Sequence, residues 1–144
     1  MKRLQVLLAG RFDASEREAW WQALQAAAPD CDWHREDASF DAAAIDVAVV
    51  ANPPSGLLAT LPRLRLIQSL WAGVDKLLTD ATLPAHVPIA RMVDPAMTAA
   101  MAETALWATL ALHRGFFDNA RDQCAGVWRQ QAQQRAAALQ VLVL

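Results

Sequence analysis

The run Leu64-Arg65-Leu66-Ile67-Gln68-Ser69-Leu70-Trp71-Ala72-Gly73-Val74-Asp75-Lys76-Leu77-Leu78 decides how the chain is to be read. Its first half is an apolar strand pattern that ends at Ser69 or Leu70. A short loop with one glycine follows, and a helical pattern starts at Val74. In an open parallel sheet, ligands bind outside the carboxyl ends of the strands. Backbone N–H groups left free at such a turn, beside a helix N-terminus, attract anions. Gly73 has no side chain, so a ligand can approach its backbone closely. The pattern therefore offers the N–H groups of Ala72 and Gly73 as holders of a small carboxylate. The same residues also spell a plain strand-to-helix turn, which is the commoner use of a lone glycine.

Moving outward, Val47-Ala48-Val49-Val50-Ala51 is a strand bare of charge and therefore central. Asn52-Pro53-Pro54-Ser55-Gly56 breaks the chain after it, and Ser55 can cap a short helix through Leu61. Leu4 to Ala9, ending at Gly10, is an apolar run suited to a strand buried on both faces. Asp13 or Ser15 can cap the next helix, and Ser15-Glu16-Arg17-Glu18 carries a capping-box pattern. That helix runs to about Ala28, stops at Pro29, and puts Trp20, Leu24 and Ala27 on one face. Cys31 to Arg35 reads as a less apolar, edge-type strand, and Phe40 to Ile45 as a loop or short helix. Pro84 and Pro88 frame a short fifth strand through Val87-Ile89-Ala90. Strands alternating with helices imply parallel units with right-handed crossovers. The expected fold is α/β: a flavodoxin-like parallel five-stranded sheet with flanking helices over residues 1–95, followed by a helical extension.

The pattern changes at Pro95. Met97 to Leu112 is Ala-rich and almost wholly apolar, with Glu103 its single charge. A helix apolar all round must be buried, in a core or in a subunit interface. It is slightly short for a membrane span, and Glu103 and three threonines sit inside it. Phe116 to Cys124 reads as a second helix ended near Gly126, and Gln130 to Gln134 as a polar loop. The chain closes on Leu139-Gln140-Val141-Leu142-Val143-Leu144. This segment reads as the first strand of a second βαβ domain, or as a strand added to the edge of the first sheet.

The totals exclude several classes. With 144 residues and 55% apolar content the chain can bury a core. A net charge of −2 gives no basic footprint for nucleic acid. Cys31 and Cys124 lack CxxC spacing, which favours a reducing, cytoplasmic setting with buried or inert thiols. No metal-ligand spacing is present. His34 in a strand, His86 in a Pro-flanked loop and His113 at a helix end read as structural or solvated residues. Asp94 and Glu103 lie nine residues apart across the Pro95 boundary with nothing to pair them. Among six tryptophans, Trp20, Trp107 and Trp128 read as packing residues, whereas Trp71 sits in the candidate turn. A stand-alone flavodoxin-like binding or dimerisation module remains an alternative. Gly10-Arg11 and Asn52-Pro53 nonetheless supply neither the acidic pocket of a receiver module nor the hydroxyl-rich loop of a flavin binder.

Several segments, taken in order, carry a family resemblance: Val49-Val50-Ala51-Asn52-Pro53-Pro54, Leu70 to Asp75, Met101-Ala102-Glu103, Arg121 with Gly126-Val127-Trp128, and Val141 to Leu144. The ordered set resembles the D-isomer-specific 2-hydroxyacid dehydrogenases, and most closely the glyoxylate/hydroxypyruvate reductases. The resemblance implies a two-domain, cytoplasmic parent enzyme that reduces a 2-keto acid with NADPH or NADH. Residues 1–95 would be its substrate-binding domain. Residues 96–144 would be interface helices and the first strand of a dinucleotide-binding domain that the chain does not include. The amides of Ala72 and Gly73 would bind the substrate carboxylate, with Trp71 and Val74 beside them and Asn52 at the cleft mouth. Thr98 and Met101 would face the nicotinamide side, with Met97 where many members carry Asn. The family's catalytic Arg, Glu and His and its GxGxxG loop find no counterpart here, so no catalytic residue is assigned and no tightly bound cofactor is expected. A homodimer through the Met97–Leu112 helix is expected, with no nucleic-acid or membrane partner.

Overall fold

Five short strands organise the amino-terminal part: β1 (Gln5–Gly10), β2 (Asp32–Arg35), β3 (Val47–Ala51), β4 (Leu66–Ser69) and β5 (Ile89–Ala90). The computed structural model describes residues 3–142, and its contacts divide the chain into two compact units, Met1–Val93 and Asp94–Leu144. The strands form one sheet in the order β2-β1-β3-β4-β5, every neighbouring pair parallel. This is the flavodoxin-like order, whose direction of winding reverses between β1 and β3.

Alternation along the strands explains the two cores. Leu7, Ala9, Ala48, Val50 and Ile67 point to one face, where Ile45, Leu58, Leu61, Leu64, Leu77 and Val87 close over them. Val6, Leu8, Val49 and Ala51 point to the other, packed with Leu70 and covered by Phe12, Trp20, Trp21 and Leu24. Leu7, Ile45, Ile67 and Val50 are fully buried, each side chain contributing roughly 1.5–3 kcal/mol on leaving water. Helix α1 (Ala14–Ala27) supplies the second cover. Its cap is Asp13, in a reciprocal box with Glu16, and not Ser15. Ser15 instead donates to Asp13, at 2.7 Å. Trp21, not Ala27, joins Trp20 and Leu24 on the buried face, and Ala27 is exposed. The segment after β3 forms only a 3-10 turn, Leu58–Thr60, with no side-chain cap. Ser55 is occupied elsewhere, donating to Asp80 at 2.9 Å.

At the opposite edge of the sheet, the amino ends of the strands are held by Asp46, which is 4% exposed. It accepts the Gln5 N–H at 3.2 Å and pairs with Arg63 at 3.0 Å. A buried carboxylate with a partner on each oxygen in this way holds β1 beside β3.

The carboxy-terminal unit contains α3 (Pro95–His113) and α4 (Phe116–Cys124). Asp94 caps α3, accepting the Ala96 N–H at 2.9 Å, and Pro95 opens it. Trp107 meets Phe117 edge to face at 6.1 Å. The expectation that α3 is buried all round fails within its own unit. Ala111 alone among its described residues is buried, while Met101, Leu106, Trp107 and Leu112 are each at least 62% exposed. A two-helix unit has too little surface to cover a helix apolar on every side. Trp128, expected to pack, is 95% exposed, and Cys124 is an exposed free thiol. Residues 139–142 form no strand, and Val143 and Leu144 lie outside the described residues.

Candidate functional site

The turn after β4 is fixed by what surrounds it. The Ser69 hydroxyl accepts the Trp71 N–H and donates to the Trp71 carbonyl, both at 3.0 Å. The Leu70 N–H donates to Val50 at 2.8 Å, and the Met92 N–H to the Trp71 carbonyl at 3.3 Å. These contacts pin Leu70 and Trp71. The N–H groups of Ala72, Gly73 and Val74 then meet no acceptor among the described residues. Helix α2 (Asp75–Leu78) starts at once, and Val74 offers it no side-chain cap. A short run of free donors therefore opens at the carboxyl edge of the sheet.

Two charged side chains flank this run, Arg91 and Asp75, and no motif in the sequence marked the first. The Arg91 guanidinium donates to the Ala72 carbonyl at 3.3 Å. It follows β5, where Ala90 lies opposite Gln68 of β4, so strand order brings a cation behind the turn. The available signal was its position, one residue past a strand on the same edge. Asp75 works against an incoming anion: a Cβ built on Gly73 would lie 3.8 Å from its Oδ2. Gly73 itself is not among the residues with positive φ, and Asp75 is the sole near neighbour of that Cβ. A side chain at 73 would thus fill the space before the donors without straining the backbone. Trp71 is 41% exposed beside the turn.

Asn52, directly after β3, is held at φ +49°, the one non-glycine with positive φ among the described residues. Asn tolerates that region better than most residues. It lines a cavity of about 240 Å³ with Arg11, Pro53, Ser55, Lys76, Leu77, Thr79 and Asp80. Residues 71–74 do not line that cavity, so Asn52 and the turn stand at different places along one sheet edge. Asp80 braces the wall. It accepts from Ser55, from both the N–H and hydroxyl of Thr82, and from the Gly56 N–H. The Thr82 hydroxyl, then the Thr82 N–H and Ser55, hold its carboxyl at about 2, so it is anionic throughout the physiological range.

Met97, Thr98 and Met101 belong to the first turns of α3, in the other unit, and all three are exposed. No group of three or more His, Cys, Asp or Glu among the described residues could hold a metal. His34 Nε2 lies 2.8 Å from Gln5 Oε1 within the strands. No helix among the described residues is long and apolar enough to cross a membrane.

Comparison with known proteins gives this geometry a context. No family model matches the chain. A glyoxylate/hydroxypyruvate reductase A from Yersinia enterocolitica is 30% identical over 122 residues, 79% of this chain and 38% of that protein. A D-isomer-specific 2-hydroxyacid dehydrogenase from Xanthobacter autotrophicus, solved with NADPH and MES, superposes with a TM-score of 0.76 and 32% identity. This chain is a relative of the D-isomer-specific 2-hydroxyacid dehydrogenases. That superposition covers 95% of this chain and 44% of the dehydrogenase. An NADPH-dependent glyoxylate/hydroxypyruvate reductase from Sinorhizobium meliloti, solved with NADP and sulfate, gives a TM-score of 0.78 at 30% identity. It is covered over 43% of its length, against 94% of this chain. The chain thus spans about two fifths of the dehydrogenases it matches.

A dinucleotide needs a phosphate loop, and the residues present do not form one. The five glycines, at 10, 56, 73, 115 and 126, include no pair spaced for GxGxxG. At the turn after β1 the Gly10 N–H already donates to Glu36 Oε1 at 3.0 Å. That carboxylate would repel a diphosphate.

Proposed function

We propose that this chain is the substrate-binding part of an NAD(P)H-dependent reductase of small 2-keto acids, of the glyoxylate or hydroxypyruvate type. Residues 1–95 form the substrate domain, and residues 96–144 lead to the dinucleotide-binding part of the parent enzyme, which acts in the cytoplasm. The carrying observation is the run of free N–H groups at Ala72, Gly73 and Val74, in a chain whose relatives are reductases of this class. Adjacent free backbone amides can hold a carboxylate and so place its keto carbon. Arg91 adds positive potential from behind, Trp71 walls the turn, and Asn52 stands at the mouth of the neighbouring recess. Met97, Thr98 and Met101 are the residues of this chain assigned to the nicotinamide side. No residue here is placed as acid, base or hydride partner.

Amide chemical shifts during titration with glyoxylate or oxalate test this reading. Shifts should saturate at Ala72, Gly73 and Val74, with Asn52 moving less. Gly73→Val should abolish saturation while leaving the remaining spectrum in place, because a Cβ at this position meets only Asp75 Oδ2, at 3.8 Å, and the backbone there has no positive φ. Asp75→Asn should tighten binding about threefold, as expected for removing one exposed like charge a few ångströms away. Shifts confined to α3, or indifferent to Gly73→Val, would reject the site and favour a module that dimerises without binding a keto acid.

The exposed apolar side chains of α3 support a second element of the reading, a homodimer through Met97–Leu112. Light scattering should give a dimer mass that falls toward the monomer in Leu106→Lys. A monomer at millimolar chain concentration would overturn it.

A further inference from the structure

The cavity beside Asn52 lies where the winding of the sheet reverses. Arg11 follows β1 and Asn52 follows β3, the two strands on either side of that reversal. Open α/β sheets bind ligands at this crevice. The lining is suited to an anion. The Arg11 guanidinium, the Lys76 ammonium and the Asn52 amide make no side-chain hydrogen bond or ion pair with the described residues. Ser55 and Thr79 have committed their protons, to Asp80 at 2.9 Å and to the Lys76 carbonyl at 2.9 Å. Asp80 is the one acid in the lining, and its oxygens are taken by Ser55, Thr82 and Gly56. Two free cations and one free amide therefore share a recess with one carboxylate, whose oxygens accept from Ser55, Gly56 and Thr82, so its charged lining is positive by one. At about 240 Å³, the recess has the volume of roughly eight waters at about 30 Å³ each. That is enough for a phosphate with a short carbon chain, and no aromatic side chain is present to stack a ring.

We infer that this cleft is a second anion site, distinct from the Ala72–Val74 turn, which takes a small phosphate dianion: inorganic phosphate or an aliphatic phosphomonoester. Arg11 offers a planar fork and Lys76 a point charge, the usual pair for phosphate oxygens. Asn52, directly after β3, supplies an amide at that end of the recess. The site shares Asn52 with the keto-acid reading, but none of its lining residues supplies the amides of the turn, so the two can fail separately.

Titration of the 144-residue chain at constant ionic strength, followed by amide shifts, tests the inference. Inorganic phosphate and glycerol 3-phosphate should each shift Asn52, Ser55 and Thr79 saturably at millimolar concentration. Tighter binding of the ester identifies the monoester as the ligand, and equal binding identifies free phosphate. Arg11→Gln and Lys76→Gln are exposed changes and should each weaken both probes about fivefold. Glyoxylate shifts at Ala72–Val74 should stay as they were, which separates failure of this site from failure of the turn. An unsaturated response into the tens of millimolar, shifts confined to Ala72–Val74, or saturation unchanged in both variants would each overturn it.

Discussion

Replacing Gly10 with alanine will cost the amino-terminal unit about 3 kcal/mol or more. Gly10 ends β1 at φ +155°, and a Cβ there would meet the Ala51 carbonyl oxygen at 2.4 Å, its nitrogen at 2.8 Å and its carbonyl carbon at 2.9 Å. These are backbone atoms of β3, the central strand, and cannot rotate away. The Arg11 N–H also donates to the Ala51 carbonyl at 2.9 Å, so separating the strands to admit a methyl group breaks that bond too. For a chain of this length the loss corresponds to a fall in melting temperature of roughly 10 °C. Circular dichroism during heating measures it. Gly73→Ala is the internal control, since its Cβ meets only an ordinary contact and its backbone is unstrained. Equal melting of the two variants would show that β1 and β3 can part at no cost.

Residues 1–144 alone should not oxidise NADPH in the presence of glyoxylate or hydroxypyruvate. The reaction needs a bound dinucleotide and a proton donor beside the keto oxygen. The glycine spacing supplies no phosphate loop, and Glu36 occupies the Gly10 N–H where one would begin. The histidines are at 34, 86 and 113. Of these, His34 lies within β2, opposite Leu7 of β1, and His113 closes α3 in the other unit. The expected result is a rate equal to the blank in a spectrophotometric assay. Turnover proportional to chain concentration would overturn the division of labour proposed above.

The sheet was legible because buried parallel strands carry continuous apolar runs. Val47–Ala51 and Leu66–Ser69 stand in the structure as read, and their flanking Asn-Pro-Pro and Gly punctuation left little room for other boundaries. Helix α1 was legible in extent but not in its cap. Asp13 and Ser15 are both good capping residues, and only geometry shows that Ser15 donates to Asp13. Arg91 and the Arg11–Lys76 pair were illegible as site residues. A long cation's partners depend on which strand ends are neighbours, and neighbour order is a property of the folded sheet. The exposed face of α3 was misread for a related reason: apolar composition records that a surface prefers to be covered, not which surface covers it.

The donors at Ala72, Gly73 and Val74 belong to the main chain. Any residue other than proline brings the same N–H to its position. A recognition element made this way is inherited with the path of the backbone and survives most changes of side chain. Tuning is then left to peripheral groups: the charge of Asp75, the guanidinium of Arg91 and the indole of Trp71. Under the proposed function, evolution can therefore alter which acid is preferred by changing residues around the turn, while the proposed hold on the carboxylate persists as long as β4 ends where it does.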